Sequence, residues 1–175
     1  MATRLRHVKL YHPFPYDCLS EQYDTIDGKT HGIYQRWSNN GQLRRLDHYD
    51  NGVLHGESKE WTVYGQLIKH FNYHSDGLHG FQQRWYDNGQ LKYTCHANHR
   101  VFLQSSSWEE NGDKHQDKYM DSNGVLMICV DYCGPNIALI TCPSRTYNEI
   151  DCTVKLIEVI DELNNSNVQF AITHE

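Results

Sequence analysis

The chain has no long apolar run and no excess of basic residues. No stretch of its 175 residues approaches the 18 apolar residues of a membrane-spanning helix, and Met1 to Arg6 lead into polar and aromatic positions rather than an apolar signal segment. The formal net charge is −6, so the basic surface of a nucleic-acid-binding protein is lacking, and anionic membranes do not attract the chain. We therefore expect a cytoplasmic protein that binds neither nucleic acid nor membrane.

Motifs of common catalytic sites are also missing. The sequence contains no Gly-rich phosphate loop, no nucleophile elbow and no His-Glu-x-x-His motif. It therefore predicts no catalytic residue and no cofactor, and we do not expect an enzyme.

What the sequence does contain is an internal repeat of constant period. His-Gly begins at positions 31, 55 and 79, Trp stands at 37, 61 and 85, and Gly-Gln-Leu begins at 41, 65 and 89. A period of this length is typical of stacked supersecondary units. The copies form an array over residues 27–126: 27–50, 51–74, 75–98, a degenerate copy at 99–121, and a partial one at 122–126 whose Asn-Gly resembles the opening of a unit.

Turn signals alternate with strand-like runs inside each copy. Asn40-Gly41 predicts a tight hairpin turn, and Asn51-Gly52 supplies the same chemistry half a period later, because Asn and Gly tolerate positive φ. Between the turns, alternate residues such as Ile33, Gln35 and Trp37 share one face of a strand. Each copy is therefore predicted to be two antiparallel strands.

The repeated positions predict a core and a set of turns. The core is predicted from one Trp and one Leu per copy: Trp37, Trp61, Trp85, Trp108, Leu43, Leu67 and Leu91. The turn positions are the His-Gly pairs and the Gly of Gly-Gln-Leu: His31, Gly32, Gly41, His55, Gly56, Gly65, His79, Gly80 and Gly89.

Tyr and Arg residues predict a contact surface on the face opposite the Trp and Leu ladder. Tyr34, Arg36, Arg84 and Tyr86 are the candidate partner-binding residues, because protein interfaces favour these residue types. The same alternation assigns His48, His70 and several other polar residues to that face. A solvated strand face is the alternative interpretation, since antiparallel sheets commonly leave one face in water.

The pattern Asn/Asp-Gly-x-x-His-Gly-x-x-x-x-Trp-x-x-x-Gly-Gln-Leu resembles the MORN repeat in its variant form, closely over residues 27–98 and loosely over 99–126. The resemblance implies an all-β antiparallel meander of hairpin repeats that serves as an interaction or scaffold module. Similar proteins occur in bacteria, where some are classed as antitoxin-like, and in large DNA viruses of amoebae. Other MORN repeats are linked to lipid binding or joined to kinase or methyltransferase domains, and nothing in this chain resembles such a domain.

The segments that flank the array have a different character. Residues 1–26 contain Pro13-Phe14-Pro15-Tyr16 and are predicted to form an extension that caps the first repeat. Residues 127–175 are predicted to form a small C-terminal α+β cap. It contains an apolar strand at 137–140 and a helix near 149–164, whose apolar face covers the open edge of the array.

Cysteine and histidine raise the question of a metal site. Cys129, Cys133, Cys142 and Cys152 lie close together in the sequence but lack the Cys-x-x-Cys spacing of structural zinc sites. Inert thiols in a reducing compartment are therefore favoured over zinc, with a disulfide as the remaining alternative. The His residues of the repeats are predicted to form a ladder that satisfies turn groups, so no metal is expected.

Together these features predict a non-enzymatic repeat scaffold that mediates protein–protein interaction. One version is a structural component of a larger assembly such as a large DNA virus particle, which would place the protein in the virion. The alternative is an antitoxin-like protein that binds and neutralises a toxin or effector. The identity of the protein partner and the oligomeric state are left open by the sequence.

Overall fold

The computed structural model describes residues 4–99, 101–134, 136–142 and 149–174, and within these residues the chain forms one sheet of fourteen strands and one helix. The elements in chain order are β1 (Leu5–Tyr11), β2 (Leu19–Ile26), β3 (Lys29–Trp37), β4 (Leu43–Asp50), β5 (Val53–Trp61), β6 (Leu67–His74), β7 (Gly77–Leu78), β8 (Gly80–Trp85), β9 (Leu91–Asn98), β10 (Val101–Trp108), β11 (Lys114–Met120), β12 (Leu126–Tyr132), β13 (Ile137–Cys142), α1 (Glu149–Asn165) and β14 (Gln169–His174).

The sheet is a meander in which consecutive strands pair antiparallel from β1 to β13. The two-residue strand β7 pairs with β6, and β8 then pairs with both β6 and β9. After α1 the chain returns as β14, which pairs parallel with β13. This architecture confirms the predicted all-β meander of hairpin repeats with a small C-terminal α+β cap.

The same β-bulge recurs in each hairpin that turns in the middle of a unit. In β3 and β4, Arg36 pairs with Arg45 and Trp37 pairs with Leu43, so Arg44 is an extra residue without a partner in the register. The corresponding extra residues in the other hairpins of this kind are Ser20, Ile68, Lys92, His115 and Met127. Because a bulge shifts the alternation of side chains by one residue, a simple period of two does not continue across it.

The N-terminal segment takes the form of two further strands of the same sheet. Strand β1 pairs with β2, and β2 pairs with β3 of the first repeat. Leu19 lies one repeat period before Leu43, and the bulge residue Ser20 lies one period before Arg44. The predicted cap is therefore built as a degenerate hairpin unit that lacks the Trp and His-Gly signals.

Residues 122–126 lie at the turn between β11 and β12. The backbone N–H of Gly124 donates to the carbonyl of Asp121, as that of Gly41 donates to Ser38. This is the turn of the Gly-Gln-Leu motif, which lies in the middle of a unit. The interpretation of this segment as the opening of a further unit is therefore corrected, and the reason is that Asn-Gly chemistry suits both kinds of turn.

An apolar core lies at the C-terminal end of the sheet. Ile128, Val130 and Ile140 are fully buried and pack with Val159 and Leu163 of α1. The helix thus covers a face of β11, β12 and β13, and not the open edge that the sequence analysis assigned to it. The edge of β13 is instead occupied by β14, which satisfies the backbone groups of β13 that would otherwise lack partners.

The Trp and Leu residues predicted as the repeat core are only half-buried. The buried side chains of the array lie in the middle of the strands: Asp47, Ser58, Phe71, Gln82, Cys95 and Ala97. Each Trp is the last residue of its strand, where a single sheet offers fewer covering neighbours than at mid-strand. The position of the core is therefore corrected from the strand ends to the strand centres.

Candidate protein-binding face

One face of the array carries the row of buried side chains. Tyr34 pairs with Asp47, Asp47 with Ser58, and Ser58 with Phe71, and paired residues in antiparallel strands project to the same side of the sheet. Further along the sheet, Cys95 continues this row. We call the side on which these five residues lie face A.

Charged side chains form a second row on face A. Arg36 pairs with Arg45, Arg45 with Glu60, Glu60 with Lys69, and Lys69 with Arg84. Lys69 Nζ lies 3.0 Å from Glu60 Oε1, so the middle of the row is neutralised internally. Among the ion pairs of the described residues, none involves Arg36 or Arg84.

A buried carboxylate of the first row contacts the second row. Asp47 is completely buried, and its Oδ2 accepts a hydrogen bond from Arg45 Nε at 2.5 Å. Breaking such a pair is strongly destabilising, because it leaves a buried charge without its partner. The polar interior of the array is thus held by specific contacts within it.

Tyrosine rings add aromatic surface to the same face. The centroid of the Tyr34 ring lies 5.6 Å from that of Tyr23 and 6.3 Å from that of Tyr49. Burial raises the pKa of Tyr34, Tyr49 and Tyr73. These phenols therefore stay neutral at physiological pH.

A cavity of about 530 Å³ opens on face A between β6 and β11. Its walls are largely apolar and include Phe71, Tyr93, Phe102 and Trp108. Cys95 contributes a buried thiol, whose pKa is raised by burial. The thiol therefore remains protonated and acts as an apolar part of the cavity wall.

Two cations lie beside this cavity over aromatic rings. The Arg84 guanidinium carbon is 5.1 Å from the centroid of Phe71, and Lys92 Nζ is 4.9 Å from that of Tyr86. Lys92 is the bulge residue of its hairpin, which lets it share the cavity with residues of face A. No carboxylate within the described part of the chain forms an ion pair with either cation.

The four predicted contact residues all belong to face A, although they are not adjacent. Arg84 and Tyr86 line the cavity, and the Tyr86 hydroxyl donates to the Trp108 carbonyl at 3.0 Å. Tyr34 and Arg36 lie on β3, towards the other end of the array. The predicted surface is therefore part of the buried face and not a separate solvated face opposite the core.

His48 and His70 lie on the other side of the sheet. Ile33 pairs with His48, and its neighbour Tyr34 belongs to face A. His70 pairs with Gln83, one residue away from Arg84. Their assignment to the predicted contact face is thus wrong. The prediction counts the faces from the Trp at the strand end, and the bulge between that end and the strand centre reverses the alternation of side chains.

His31-Gly32 and His55-Gly56 lie inside β3 and β5, and His79-Gly80 lies at the junction of β7 and β8, so none of the three pairs is a hairpin turn. Gly56 has a φ of 103°, and the register of β4 and β5 shifts beside it, between the pairs made by Asp47 and Tyr49. A Cβ at Gly56 would lie 3.2 Å from His48 Cβ. Glycine is therefore required at this strand irregularity, and the prediction of a turn at His31-Gly32, His55-Gly56 and His79-Gly80 is corrected.

The repeat histidines do not form one continuous ladder. The rings of His55 and His79 lie 4.8 and 5.9 Å from that of His74, between ring centroids. His31 Nδ1 lies 3.4 Å from Asp50 Oδ1. Within the described residues, no group of three or more His, Cys, Asp or Glu side chains has an arrangement that could hold a metal ion.

The C-terminal cysteines occupy different environments. Cys129 and Cys142 are buried, and Cys133 is exposed. Burial raises the pKa of Cys129 to about 11, which makes its thiol unreactive at neutral pH. The side chain of Cys152 lies outside the described residues, so the prediction for the four cysteines as a group stays a prediction.

Among the described residues, no helix is long and apolar enough to cross a bilayer.

Comparison with known proteins identifies the repeat. Residues 30–51 and 78–99 match the family described as the MORN repeat variant, so the chain carries MORN repeats, as the sequence pattern predicts. No curated protein sequence matches the chain. Among solved structures, the chain is similar to one titled "Crystal structure of GtfA/B complex bound to UDP and GlcNAc", with 10% identity and a TM-score of 0.31 over 69% of this chain and 32% of that one. The chain thus spans about a third of the length of that protein.

Proposed function

We propose that this MORN repeat protein is a non-enzymatic scaffold that binds a protein partner through face A of the array. The observation that carries the proposal is the cavity of about 530 Å³ between Arg84 and Lys92, two cations without an ion-pair partner in the described chain. Tyr, Trp and Arg residues surround it, and these are the types that most often dominate binding energy at protein interfaces.

The extended form of the array supports a scaffold role. Face A continues from β3 to β10 as one surface with charged, aromatic and apolar positions. We propose that it organises a larger assembly such as a large DNA virus particle. Neutralisation of a toxin or effector is the alternative, and the identity of the bound protein distinguishes the two.

The test is a pull-down from the native source with a double charge reversal, Arg36→Glu with Arg84→Glu. Both residues are exposed and neither has an ion-pair partner in the described chain, so we expect the partner to be lost while the melting temperature stays nearly unchanged. The matched control is Gln35→Glu with Gln83→Glu. It places negative charge at the adjacent positions on the other side of the sheet and should retain the partner.

Retention of the partner by the Arg36 and Arg84 variant would overturn the assignment to face A. Equal loss by both double variants would point to an effect of net charge and would overturn it as well. A coat or scaffold protein recovered in stoichiometric amount supports the assembly role, and a toxin supports the alternative.

A further inference from the structure

We propose that the cavity recognises a short segment of the partner in which a large apolar side chain, such as Phe, lies next to a carboxylate. The proposal rests on the function proposed above and specifies the chemistry of the partner. Its basis is the division of the cavity into an apolar interior and a cationic border.

The glutamine in the interior of the cavity is buried and hydrogen-bonded within the chain. Gln82 Oε1 accepts from the Asn72 N–H at 2.8 Å, and Gln82 Nε2 donates to the carbonyls of Asn72, His79 and Gly80 at 3.0 to 3.2 Å. These bonds use both N–H groups of the side-chain amide and one of the two lone pairs of its oxygen, and the Gln82 side chain is completely buried. A polar group of a ligand would therefore find no hydrogen-bond partner at Gln82. An apolar group needs no such partner and loses no hydrogen bond by binding there.

The volume suits one large side chain with part of its backbone. Cavities of 300–1,000 Å³ are typical of sites that bury most of a small ligand, and this cavity measures about 530 Å³. Phe71, Phe102 and Trp108 supply aromatic walls. An aromatic side chain of the partner can pack against them in the edge-to-face or offset manner that such rings prefer.

The border selects a negative charge. Arg84 and Lys92 each lie over a ring, which fixes their position while their N–H groups keep no carboxylate partner in the described chain. A guanidinium binds a carboxylate through two parallel hydrogen bonds, and the ammonium adds a point charge. The acidic residue at the border, Glu109, is already paired, with its Oε1 2.9 Å from His115 Nδ1.

An NMR titration with defined peptides tests the proposal on the full chain. The probe is acetyl-Gly-Glu-Phe-Asp-Gly-amide, and the comparison peptides replace Phe by Ala or the two acidic residues by Lys. We expect the first peptide to shift the indole N–H signal of Trp108 in a saturable manner and to leave that of Trp37 unchanged. Each comparison peptide should bind about tenfold more weakly, since each loses one of the two contacts.

Three variants test the cavity and separate this proposal from the broader one. Arg84→Gln with Lys92→Gln should weaken binding of the acidic peptide about tenfold, whereas Lys29→Gln, at an exposed position outside the cavity, should not. Ser107→Leu should block the cavity, with a thermal melt as the check that the fold is kept.

Equal binding of all three peptides, or no shift at Trp108, would overturn the recognition of an apolar and acidic segment. If Ser107→Leu keeps its fold and still captures the native partner, while the Arg36 and Arg84 reversal loses it, the cavity proposal fails and the role of face A stands. If the native partner also survives the reversal, the proposed function fails with it.

Discussion

The repeat array and the C-terminal lobe belong to one sheet, yet they bury opposite sides of it. In the array the buried row on face A includes Asp47, Ser58 and Gln82. In the lobe, formed by β11 to β13 and α1, the register places Ile128 and Val130 on the other side, beneath the helix. The first interior is largely polar, and the second is almost entirely apolar.

This difference shows that two kinds of stabilising interaction, apolar burial and hydrogen bonding of buried polar groups, operate in different parts of one sheet. The lobe gains from removing apolar side chains from water, with α1 as a second layer. The array has no such layer among the described residues, and most of its buried polar groups are matched instead by hydrogen bonds within and between hairpins, with Asp47 Oδ1 as an exception. The stability of a single-layer array therefore depends on these hydrogen bonds, since a buried polar group without a partner is costly.

The largest expected effect is in the lobe. Ile128→Ala should lower the free energy of unfolding by about 4 kcal/mol, because it leaves a cavity in the apolar core. Urea denaturation measures the change, and Ile137→Ala is the control, since Ile137 is 54% exposed and its truncation should cost less than about 1 kcal/mol. Similar effects of the two variants would show that the helix does not cover this core as described.

An intermediate effect is expected at the polar interior of the array. Gln82→Ala removes the four hydrogen bonds that the side chain makes to Asn72, His79 and Gly80, and should cost about 2–3 kcal/mol. Hydrogen exchange should show faster exchange of the Asn72 amide, whose partner is Gln82. Gln83→Ala, on the other side of the sheet, serves as the control, and an unchanged Asn72 amide would refute the described contact.

The smallest effect distinguishes two equivalent turns. Gly41 and Gly65 both have positive φ, so replacement by Ala costs each about 1–2 kcal/mol. A Cβ at Gly65 would also lie 3.1 Å from Gln42 Oε1, whereas one at Gly41 meets nothing within 4 Å. Thermal melts should therefore show a larger loss for Gly65→Ala, and the difference should vanish in the background of Gln42→Ala.

The sequence predicts the strand count and turn chemistry of each repeat better than it predicts the faces. The constant period and the Asn-Gly pairs are local signals, and local signals decide hairpins. The bulge at Arg44 and its equivalents is not visible in residue types, because its occupants range from Ser20 to Lys92. Counting alternation from the strand-end Trp therefore assigns His48 and His70 to the wrong side.

Other features depend on contacts between residues that are far apart in the sequence, and local patterns do not predict such contacts. The placement of α1 follows from the apolar surface of Ile128 and Ile140, which exists only once the strands are paired. The candidate cavity combines residues of several strands, so Phe102 has no sequence signal of its own, whereas Lys92 is assigned to the contact face by alternation. The N-terminal hairpin did leave a signal in Leu19, which stands one period before Leu43.

The contact between a glutamine and the next glycine joins only neighbouring units. Gln42 lies against Gly65, Gln66 against Gly89, and Gln90 against Gly112. A duplicated unit inserted after His74 would therefore meet the same contacts on both sides as an existing copy does, and would lengthen the sheet by two strands. The length of such a sheet can thus change in whole units with these contacts kept, whereas an insertion that is not a multiple of the unit would break them.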